Sequence, residues 1–199
     1  LLKVKDAPAG SRASEMDLTA LLKNPLVENS SVHFNAKDVY NFGLEKTPDM
    51  RVLMKKFKKS FDMAEPKPMT VELEVGNTDR AFGTIFGSEI TRKFGNTLPE
   101  DTFHVICNGY GGQSFGAFIP AGLTLELVGD SNDYMGKGLS GGKIVVRPPK
   151  GITFKPEENI ITGNVALYGA TSGKAYISGV AGERFAVRNS GATAVVEGV

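Results

Sequence analysis

The sequence is poor in the residues that most often carry protein chemistry. Its 199 residues include two histidines, no tryptophan and one cysteine, Cys107, which excludes an internal disulfide and a cysteine-built metal site. The formal net charge of +1 gives no reason to expect nucleic acid or an anionic membrane as a partner. No apolar run approaches the roughly 18 residues that a membrane helix needs. We therefore expect a cytoplasmic globular protein.

Glycine is unevenly distributed along the chain. Residues 1–65 contain only Gly10 and Gly43, whereas residues 66–199 contain the other 22 of the 24 glycines. The proline-rich string "AEPKP" marks the change of character between these two parts. We therefore predict a segment of helices and loops over residues 1–65, followed by a glycine-rich β domain over residues 66–199.

Short amphipathic helices are predicted in the first part. Leu53, Phe57 and Phe61 recur at i, i+4 and i+8, which places them on one face of a helix. A further helix is predicted at "DLTALL", capped by Asp17 or Thr19. Four lysines accompany the apolar stripe: Lys55, Lys56, Lys58 and Lys59. Because the net charge is close to zero, we interpret these lysines as the solvated face of the helix rather than as a nucleic-acid site.

The second part carries apolar runs at an even spacing. The runs begin in steps of 19, 20, 21 and 19 residues, at His104, Leu123, Lys143, Asn164 and Glu183. Alternate residues give two apolar columns, one of Val105, Leu125, Ile144, Val165 and Phe185, the other of Cys107, Leu127, Val146, Leu167 and Val187. A fixed period near 20 residues favours a stacked solenoid with glycine at its corners. We therefore predict an all-β parallel β-helix, with a glycine-rich sandwich or barrel as the alternative, and one helix at "GSEITRKF", about residues 87–94.

The string "GKGLSGG", residues 136–142, contains G-x-G-x-x-G, the pattern of a dinucleotide-binding loop. Such a loop must follow a strand and open a helix, so that the pyrophosphate meets free N–H groups. Here the string leads into Ile144 and an apolar run that predicts a strand. A P-loop also fails, because Ile144 stands where Ser or Thr should bind magnesium. We interpret these glycines as corner residues.

The string "GQSFG" matches the nucleophile-elbow pattern G-x-S-x-G around Ser114. That pattern requires a following helix and a later histidine. The two histidines, His33 and His104, both precede Ser114, and Pro120 interrupts the residues that follow it. We therefore favour a structural turn, while a spatial pair of His104 and Ser114 stays open because other triad orders exist.

Two further features suggest chemistry and have simpler interpretations. Asp130, Asn132 and Asp133 could suggest calcium, but the bidentate glutamate of an EF-hand is missing, and Asx turns are favoured. Cys107 falls in a predicted interior column, which indicates an inert core thiol. We assign no catalytic, cofactor-binding or metal-binding residue in this chain.

These strings together carry a resemblance to a known family. "RAFGTIFGSEITRKFG", "NDYMGKGLSGGKIVV" and "GNVALYGATSGKAYISGVAGERFAVRNSGATAVVEGV" resemble the C-terminal glycine-motif (GXGXG) domain of the glutamate synthase large (alpha) chain. The resemblance runs from about Asn77 to Val199. It implies a right-handed parallel β-helix over residues 66–199, truncated at its C-terminus since the family continues past "VVEGV", and a variable connector over residues 1–65.

The resemblance implies a structural role for this domain. The family's whole enzyme makes glutamate from glutamine and 2-oxoglutarate, with NADPH, NADH or ferredoxin as the reductant. The implied role is a non-catalytic scaffold that braces the amidotransferase and FMN domains, with homo-oligomer contacts as a further expectation. FMN and iron–sulfur clusters are implied elsewhere in the parent enzyme, which is expected in the cytoplasm or, in a eukaryote, in the plastid.

Two alternatives to the scaffold domain stay open. The first is a β-helix subunit of a formylmethanofuran dehydrogenase, since that enzyme has a subunit that resembles this domain. The second is a free-standing β-solenoid that binds a partner such as carbohydrate. A carbohydrate groove would need aromatic residues along it, and the sequence has no tryptophan.

Overall fold

The chain divides by its contacts into two units, residues 1–42 and 43–199. In the first unit, the helical turn α1 (Thr19–Leu22) begins after Asp17, whose carboxylate accepts a 2.9 Å hydrogen bond from the N–H of Thr19. Because the N-cap residue is Leu18, neither Asp17 nor Thr19 is the cap that the sequence predicted, although Asp17 accepts a hydrogen bond from one N–H at the helix start. The computed structural model describes residues 6–25, 27, 35 and 37–199.

Seven strands form the sheet of the second unit. Their bounds are β1 (Met69–Val75), β2 (Phe103–Gly111), β3 (Leu123–Ser131), β4 (Ser140–Arg147), β5 (Ile160–Thr162), β6 (Ser172–Ala181) and β7 (Thr193–Gly198). The order is β1-β2-β3-β4-β6-β5, while β7 also pairs with β6 and β5 with β3. All pairings between these strands are parallel. Apolar residues of one strand can therefore lie beside those of the next.

The register aligns the first members of both predicted columns. Val105 on β2 pairs with Leu125 on β3, and Leu125 pairs with Ile144 on β4. All three side chains are fully buried. The column then continues through Ala175 and Ala194. The second column behaves in the same way, through Cys107, Leu127, Val146, Ile177 and Val196.

The predicted fold class, an all-β right-handed parallel β-helix, is wrong. The second unit is one parallel seven-stranded sheet together with helices that pack against it. The runs at Asn164 and Glu183, predicted as strands, are turns in which Val165, Leu167 and Arg184 have φ values of 60°, 58° and 60°. This left-handed backbone is incompatible with a strand, and an apolar pattern in the sequence does not reveal it.

Four six-residue turns stack on one another in the described part of the second unit. We call them the stacked turns: residues 113–118, 133–138, 164–169 and 183–188. In each turn the second, fourth and sixth residues have positive φ. Backbone hydrogen bonds join successive turns; the N–H groups of Gly136 and Gly138 donate to the carbonyl oxygens of Phe115 and Tyr168, both at 2.8 Å. The stacked turns therefore continue the hydrogen-bonded ladder beyond the strands.

The helices of the second unit are short, except for one. They are 3₁₀ turns at Leu44–Lys46 and Pro156–Glu158, a π-helical turn at Asp49–Leu53, α2 (Met54–Lys56), α3 (Lys58–Phe61) and α4 (Thr84–Phe94). The α4 helix confirms the one predicted at "GSEITRKF" but begins earlier. Its start is fixed by the carboxylate of Asp49, which accepts hydrogen bonds from the N–H groups of Gly83, Ile85 and Phe86.

Aromatic rings pack these helices onto the sheet. The ring of Phe57 stacks on Phe86 of α4 and meets Phe103 of β2 edge-on, with 5.3 Å between ring centroids in both pairs. Phe57 is fully buried, as its place in the predicted apolar stripe requires. Residues 43–65 therefore pack as part of the second unit, while the role of residues 1–65 as a connector stays a prediction.

Candidate functional site

One face of the sheet carries a row of paired charges. The ammonium of Lys143, on β4, lies 2.9 Å from a carboxylate oxygen of Glu100 and 2.7 Å from one of Asp101. The ammonium of Lys174, on β6, lies 2.6 Å from the other oxygen of Glu100. Because Lys143 and Lys174 are register partners, parallel pairing brings both cations to Glu100.

A second group of charges surrounds Glu126 on β3. The Nε atom of Arg147 donates a 2.9 Å hydrogen bond to Oε1 of Glu126. The Nη2 atom of Arg147 lies 2.7 Å from the same oxygen. The Nε2 atom of His104 lies 3.3 Å from Oε2 of the same carboxylate, but the geometry is not that of a hydrogen bond. The Glu126 side chain is only 19% exposed, so Arg147 supplies the countercharge that a largely buried carboxylate needs.

The ion pairs hold the paired groups in their charged forms. Hydrogen bonds from Lys174 and Lys143 lower the pKa of Glu100. Burial opposes ionisation of Asp101, but hydrogen bonds from Lys143 and Thr124 outweigh it and lower the pKa of this carboxyl group. The hydrogen bond to Glu100 raises the pKa of Lys174. These shifts move each pKa away from neutral pH, which suits structural ion pairs rather than proton transfer.

A groove lies where β2 and β3 end. Its two adjoining parts have volumes of about 400 Å³ and 510 Å³ and share Tyr110, Asp130 and Ile161. Tyr110 is 60% exposed, and burial raises the pKa of Asp130. Phe154 adds a second exposed ring to the wall. The groove thus combines apolar surface with one carboxylate, a composition typical of contact surfaces.

The glycine motif at residues 136–142 spans the end of a stacked turn and the start of β4. Gly136 and Gly138 have φ values of 63° and 62°, a conformation that favours glycine. Their interpretation as corner residues, followed by a strand, is confirmed. Since both N–H groups donate to neighbouring turns, they are occupied and do not present donors to a phosphate.

Ser114 and His104 lie in different structural settings. Ser114 is the second residue of a stacked turn, and its N–H donates to the carbonyl of Asp133 at 2.9 Å. His104 lies on β2 beside Glu126. Within the described part of the chain, no hydrogen bond joins the two side chains, so the geometry does not assemble a serine–histidine pair. His33 lies outside the described residues.

Two of the three residues that suggested calcium, Asn132 and Asp133, close turns instead. The Oδ1 atom of Asn132 accepts a 2.7 Å hydrogen bond from the N–H of Asp133, and its amide donates to Asn77. The carboxylate of Asp133 accepts a 2.7 Å hydrogen bond from the N–H of Asn164, in the next turn. The turn interpretation is confirmed for Asn132 and Asp133, whereas Asp130 lies on β3 and lines the groove. Among residues 6–25, 27, 35 and 37–199, no group of three or more His, Cys, Asp or Glu could hold a metal ion.

Cys107 is fully buried in β2, as the column pattern predicted. Desolvation strongly raises the pKa of its thiol, and the charges of Asp49 and Glu126 add to the shift. The thiolate form that reacts with electrophiles or binds metals is therefore disfavoured.

No helix in the described residues is long and apolar enough to span a membrane.

Sequence reasoning missed the pairing of Glu100 with Lys174, which are 74 residues apart. A partial signal was present, because Thr124, Lys143 and Lys174 are polar residues at matching positions of three strands. Using this signal requires knowing that β4 pairs with β6. The turn at residues 164–169 lies between these two strands in the sequence. Because the sequence pattern predicts a strand there, it predicts the wrong neighbour for β4.

Comparison with known proteins identifies the segment to which this chain corresponds. The family model described as "GXGXG motif" matches residues 49–199. The large chain of NADPH-dependent glutamate synthase from Bacillus subtilis is 47% identical over 189 residues, covering 94% of this chain and 12% of that relative. The NADH glutamate synthase of Schizosaccharomyces pombe is 48% identical over 205 residues, covering 100% of this chain and 9% of that relative. Ferredoxin-dependent glutamate synthase 2 from Synechocystis is 40% identical over 204 residues, covering 100% of this chain and 12% of that relative. The chain thus spans about a tenth of the length of these relatives.

Proposed function

This chain belongs to the GXGXG-motif family, and from that membership we propose that it is the non-catalytic scaffold domain of a glutamate synthase. The proposed parent enzyme makes glutamate from glutamine and 2-oxoglutarate with a reductant. Its catalytic residues are assigned to other domains, and none is assigned to this chain.

The observation that carries the proposal is the internal neutralisation of the charged sheet face. Lys143, Lys174 and Arg147 each contact a carboxylate of the same domain at 2.9 Å or less. The in-register apolar columns resist local opening of the sheet, while the ion pairs neutralise its surface and contribute little free energy. A rigid body whose charged groups are held by one another is suited to support neighbouring domains.

The range of relatives also supports a structural role. Relatives named for NADPH, NADH and ferredoxin match the same segment, at 47%, 48% and 40% identity. A segment that determined the electron donor would be expected to differ between these three kinds of enzyme. We therefore propose that this domain serves the same purpose whichever reductant the parent enzyme uses.

We assign FMN and the iron–sulfur clusters to other parts of the parent enzyme. Cluster iron is held by several cysteine thiolates, whereas this chain has only Cys107, which is buried and has a raised thiol pKa. The N–H groups of Gly136 and Gly138, which would otherwise suit the FMN phosphate, donate to backbone carbonyls. These residues therefore do not fit either cofactor.

The proposed partners are the amidotransferase and FMN domains of the parent enzyme. The proposed compartment is the cytoplasm, or the plastid in a eukaryote. The relatives described above are glutamate synthases, which favours this assignment over a formylmethanofuran dehydrogenase subunit or a free-standing binding module.

Sedimentation velocity tests the proposed partners. The chain is mixed with the amidotransferase–FMN portion of the Bacillus subtilis enzyme, produced without the matching segment. We expect the two to sediment as one stoichiometric complex. Independent sedimentation of the two components, with the chain folded by circular dichroism, would contradict the scaffold proposal.

A further inference from the structure

A second cleft lies on the outer surface of the stacked turns. Its volume is about 500 Å³. Its walls combine two tyrosines, two cationic side chains and two valines: Tyr134, Lys137, Val165, Tyr168, Arg184 and Val187. We call it the turn-face cleft.

The turn-face cleft is built by the register of the stacked turns. The N–H of Tyr134 donates to Asn164, and the N–H of Val165 donates to Glu183, so the second residues of three successive turns lie in one row. That row consists of Tyr134, Val165 and Arg184. The fifth residues form the neighbouring row, which consists of Lys137, Tyr168 and Val187. The surface is therefore set by the backbone ladder and is present before any partner arrives.

The first of these rows carries side chains where glycine would be less strained. Tyr134, Val165 and Arg184 have φ values of 62°, 60° and 60°, a left-handed conformation that costs a side-chain-bearing residue roughly 1–2 kcal/mol. Glycine fills such positions elsewhere in the stacked turns, as at Gly116 and Gly136. The same conformation recurs at Ser114 and Leu167, so it is a property of the stacked turns and sets the direction of the displayed side chains.

The cations of the turn-face cleft lack a carboxylate partner within the described residues. Lys143, Lys174 and Arg147 on the sheet are all paired, whereas no ion pair in the described part of the chain includes Lys137 or Arg184. The Lys137 ammonium instead lies 5.3 Å from the ring centroid of Tyr134. The cleft therefore presents positive charge beside two aromatic rings.

The acidic residues of the stacked turns do not neutralise this surface. Asp133 and Glu183 are the first residues of their turns, outside the cleft walls. The carboxylate of Asp133 is engaged by the N–H of Asn164. Lys137 and Arg184 thus remain available to carboxylates from outside the domain.

We propose that the turn-face cleft binds an acidic segment of a protein partner. Carboxylates of the segment would pair with Lys137 and Arg184, and an apolar side chain would lie against Tyr134, Tyr168 and Val165. Successive stacked turns are about 4.8 Å apart, so the two steps along the stack from the turn of Lys137 to the turn of Arg184 cover roughly 10 Å. A peptide in the polyproline II conformation has three residues per turn and rises about 3.1 Å per residue, so residues i and i+3 lie on one face about 9 Å apart. This spacing favours acids at positions i and i+3. This proposal does not depend on the identity of the parent enzyme.

A small phosphate compound is a less suitable ligand for this cleft. Phosphate sites draw much of their affinity from free backbone N–H groups. Here the N–H groups of Tyr134, Val165 and Gly138 all donate to carbonyl oxygens of adjacent turns. The valines at the wall offer apolar contact, which a peptide side chain can use and an inorganic anion cannot.

Nuclear magnetic resonance titration of the full chain tests this proposal. The probe is a short peptide that repeats Glu-Leu-Ala, which places an acid at every third residue. We expect saturable shifts of the backbone amide signals of Tyr134, Lys137, Tyr168 and Arg184. The double variant Lys137→Glu/Arg184→Glu should bind at least about tenfold more weakly, a loss of about 1.4 kcal/mol. The matching Lys-Leu-Ala peptide should produce no saturable shift at the cleft.

The double variant Lys55→Glu/Lys59→Glu is the matched control. It changes the net charge by the same amount on another exposed surface and should retain the affinity of the original chain. Should the charge reversal at the cleft impair folding by thermal melting, Lys137→Gln/Arg184→Gln replaces it and should also weaken binding. Shifts that never saturate, shifts confined to another surface, or equal losses in the control would overturn the proposal. Inorganic pyrophosphate that saturates the same signals at lower concentration would also overturn it, in favour of a small-anion site.

Discussion

The carboxylate of Asp49 accepts a 2.9 Å hydrogen bond from the N–H of Gly83, 34 residues later in the chain. Its second oxygen accepts from Ile85 and Phe86, at 2.9 Å and 3.0 Å. Asp49 is 2% exposed and lies at the N-terminal end of α4, where the helix dipole favours a negative charge. One buried side chain therefore fixes the start of α4 and attaches the preceding segment to it.

Replacement of Asp49 should destabilise the domain. In Asp49→Asn, the side-chain NH₂ group would replace one of the two oxygens that now accept hydrogen bonds from backbone N–H groups. Because that group is itself a donor, it would leave at least one buried N–H without an acceptor. We expect a loss of about 1–3 kcal/mol in the free energy of unfolding, measured by urea denaturation at neutral pH. The isosteric change preserves volume, so a loss below about 0.5 kcal/mol would show that these hydrogen bonds do not anchor α4.

The effect of pH on Asp49 has a definite sign. Burial raises the pKa of this carboxyl group above its ordinary value of 3.8, against the opposing effect of the N–H hydrogen bonds. The folded state therefore binds the proton more tightly than the unfolded state, and the contribution of Asp49 to stability falls as pH rises from 3.8. The stability difference between the original chain and Asp49→Asn should shrink over that rise. A difference that grows with pH would contradict the raised pKa.

Removal of N-terminal residues should distinguish the two units. Deletion of residues 1–42 should leave the melting temperature of the second unit nearly unchanged, because residues 43–199 form a compact unit of their own. Deletion of residues 1–65 also removes Phe57 and the anchor Asp49, which exposes Phe86. We expect a fall of about 10 °C or more in the melting temperature. Equal melting temperatures for the two truncated chains would show that residues 43–65 do not stabilise the sheet.

Two glycine substitutions test the tight stacking of the ladder. A Cβ atom on Gly129 (φ 156°) would overlap the carbonyl oxygen of Gly109 in the adjacent strand, whereas one on Gly169 (φ 65°) would meet no atom within 4 Å. Gly129→Ala should lower the free energy of unfolding by at least about 3 kcal/mol. Gly169→Ala should cost only about 1–2 kcal/mol, from its left-handed backbone. Similar losses in chemical denaturation would contradict the close approach of β3 to β2.

The sheet-face ion pairs should respond to acid in the opposite sense to Asp49. Hydrogen bonds from Lys174 and Lys143 lower the pKa of Glu100 from 4.5, so its contribution is present at neutral pH and is lost as pH falls below that value. Glu100→Gln should reduce stability at neutral pH by less than about 1 kcal/mol, because the pair is exposed to solvent. The difference should vanish at low pH. Persistence of the full difference under acid would exclude the ion pair as its cause.

The sequence predicted the interior of β2, β3 and β4 well, but it predicted strands at Asn164 and Glu183, where the structure has turns. The apolar alternation of Val105, Leu125 and Ile144 identified one buried column, because period-two patterning follows directly from strand geometry. The same rule failed at Val165 and Phe185. Those residues lie in turns, where the backbone conformation rather than hydrophobicity decides the direction of each side chain.

The candidate sites show a similar division. The corner role of Gly136 and the turn role of Asp133 followed from local chemistry, since glycine and aspartate favour particular backbone geometries. The burial of Asp49 could not be predicted in this way, because its partners belong to a helix distant in sequence. The turn-face cleft also depends on the stacking of separate turns, which brings Lys137 and Arg184 to one surface.

Reconstitution of coupled catalysis tests the scaffold proposal most directly. The amidotransferase–FMN portion of the Bacillus subtilis enzyme is assayed for glutamate formed per glutamine hydrolysed, with and without this chain. We predict that adding the chain raises this ratio, and that His104→Gln, which alters a polar side chain near Glu126, binds equally and leaves kcat of the complex unchanged. The scaffold proposal would be contradicted if the ratio of glutamate formed to glutamine hydrolysed were the same with and without the chain. A large fall in kcat with His104→Gln, while binding is preserved, would also contradict a purely supporting role.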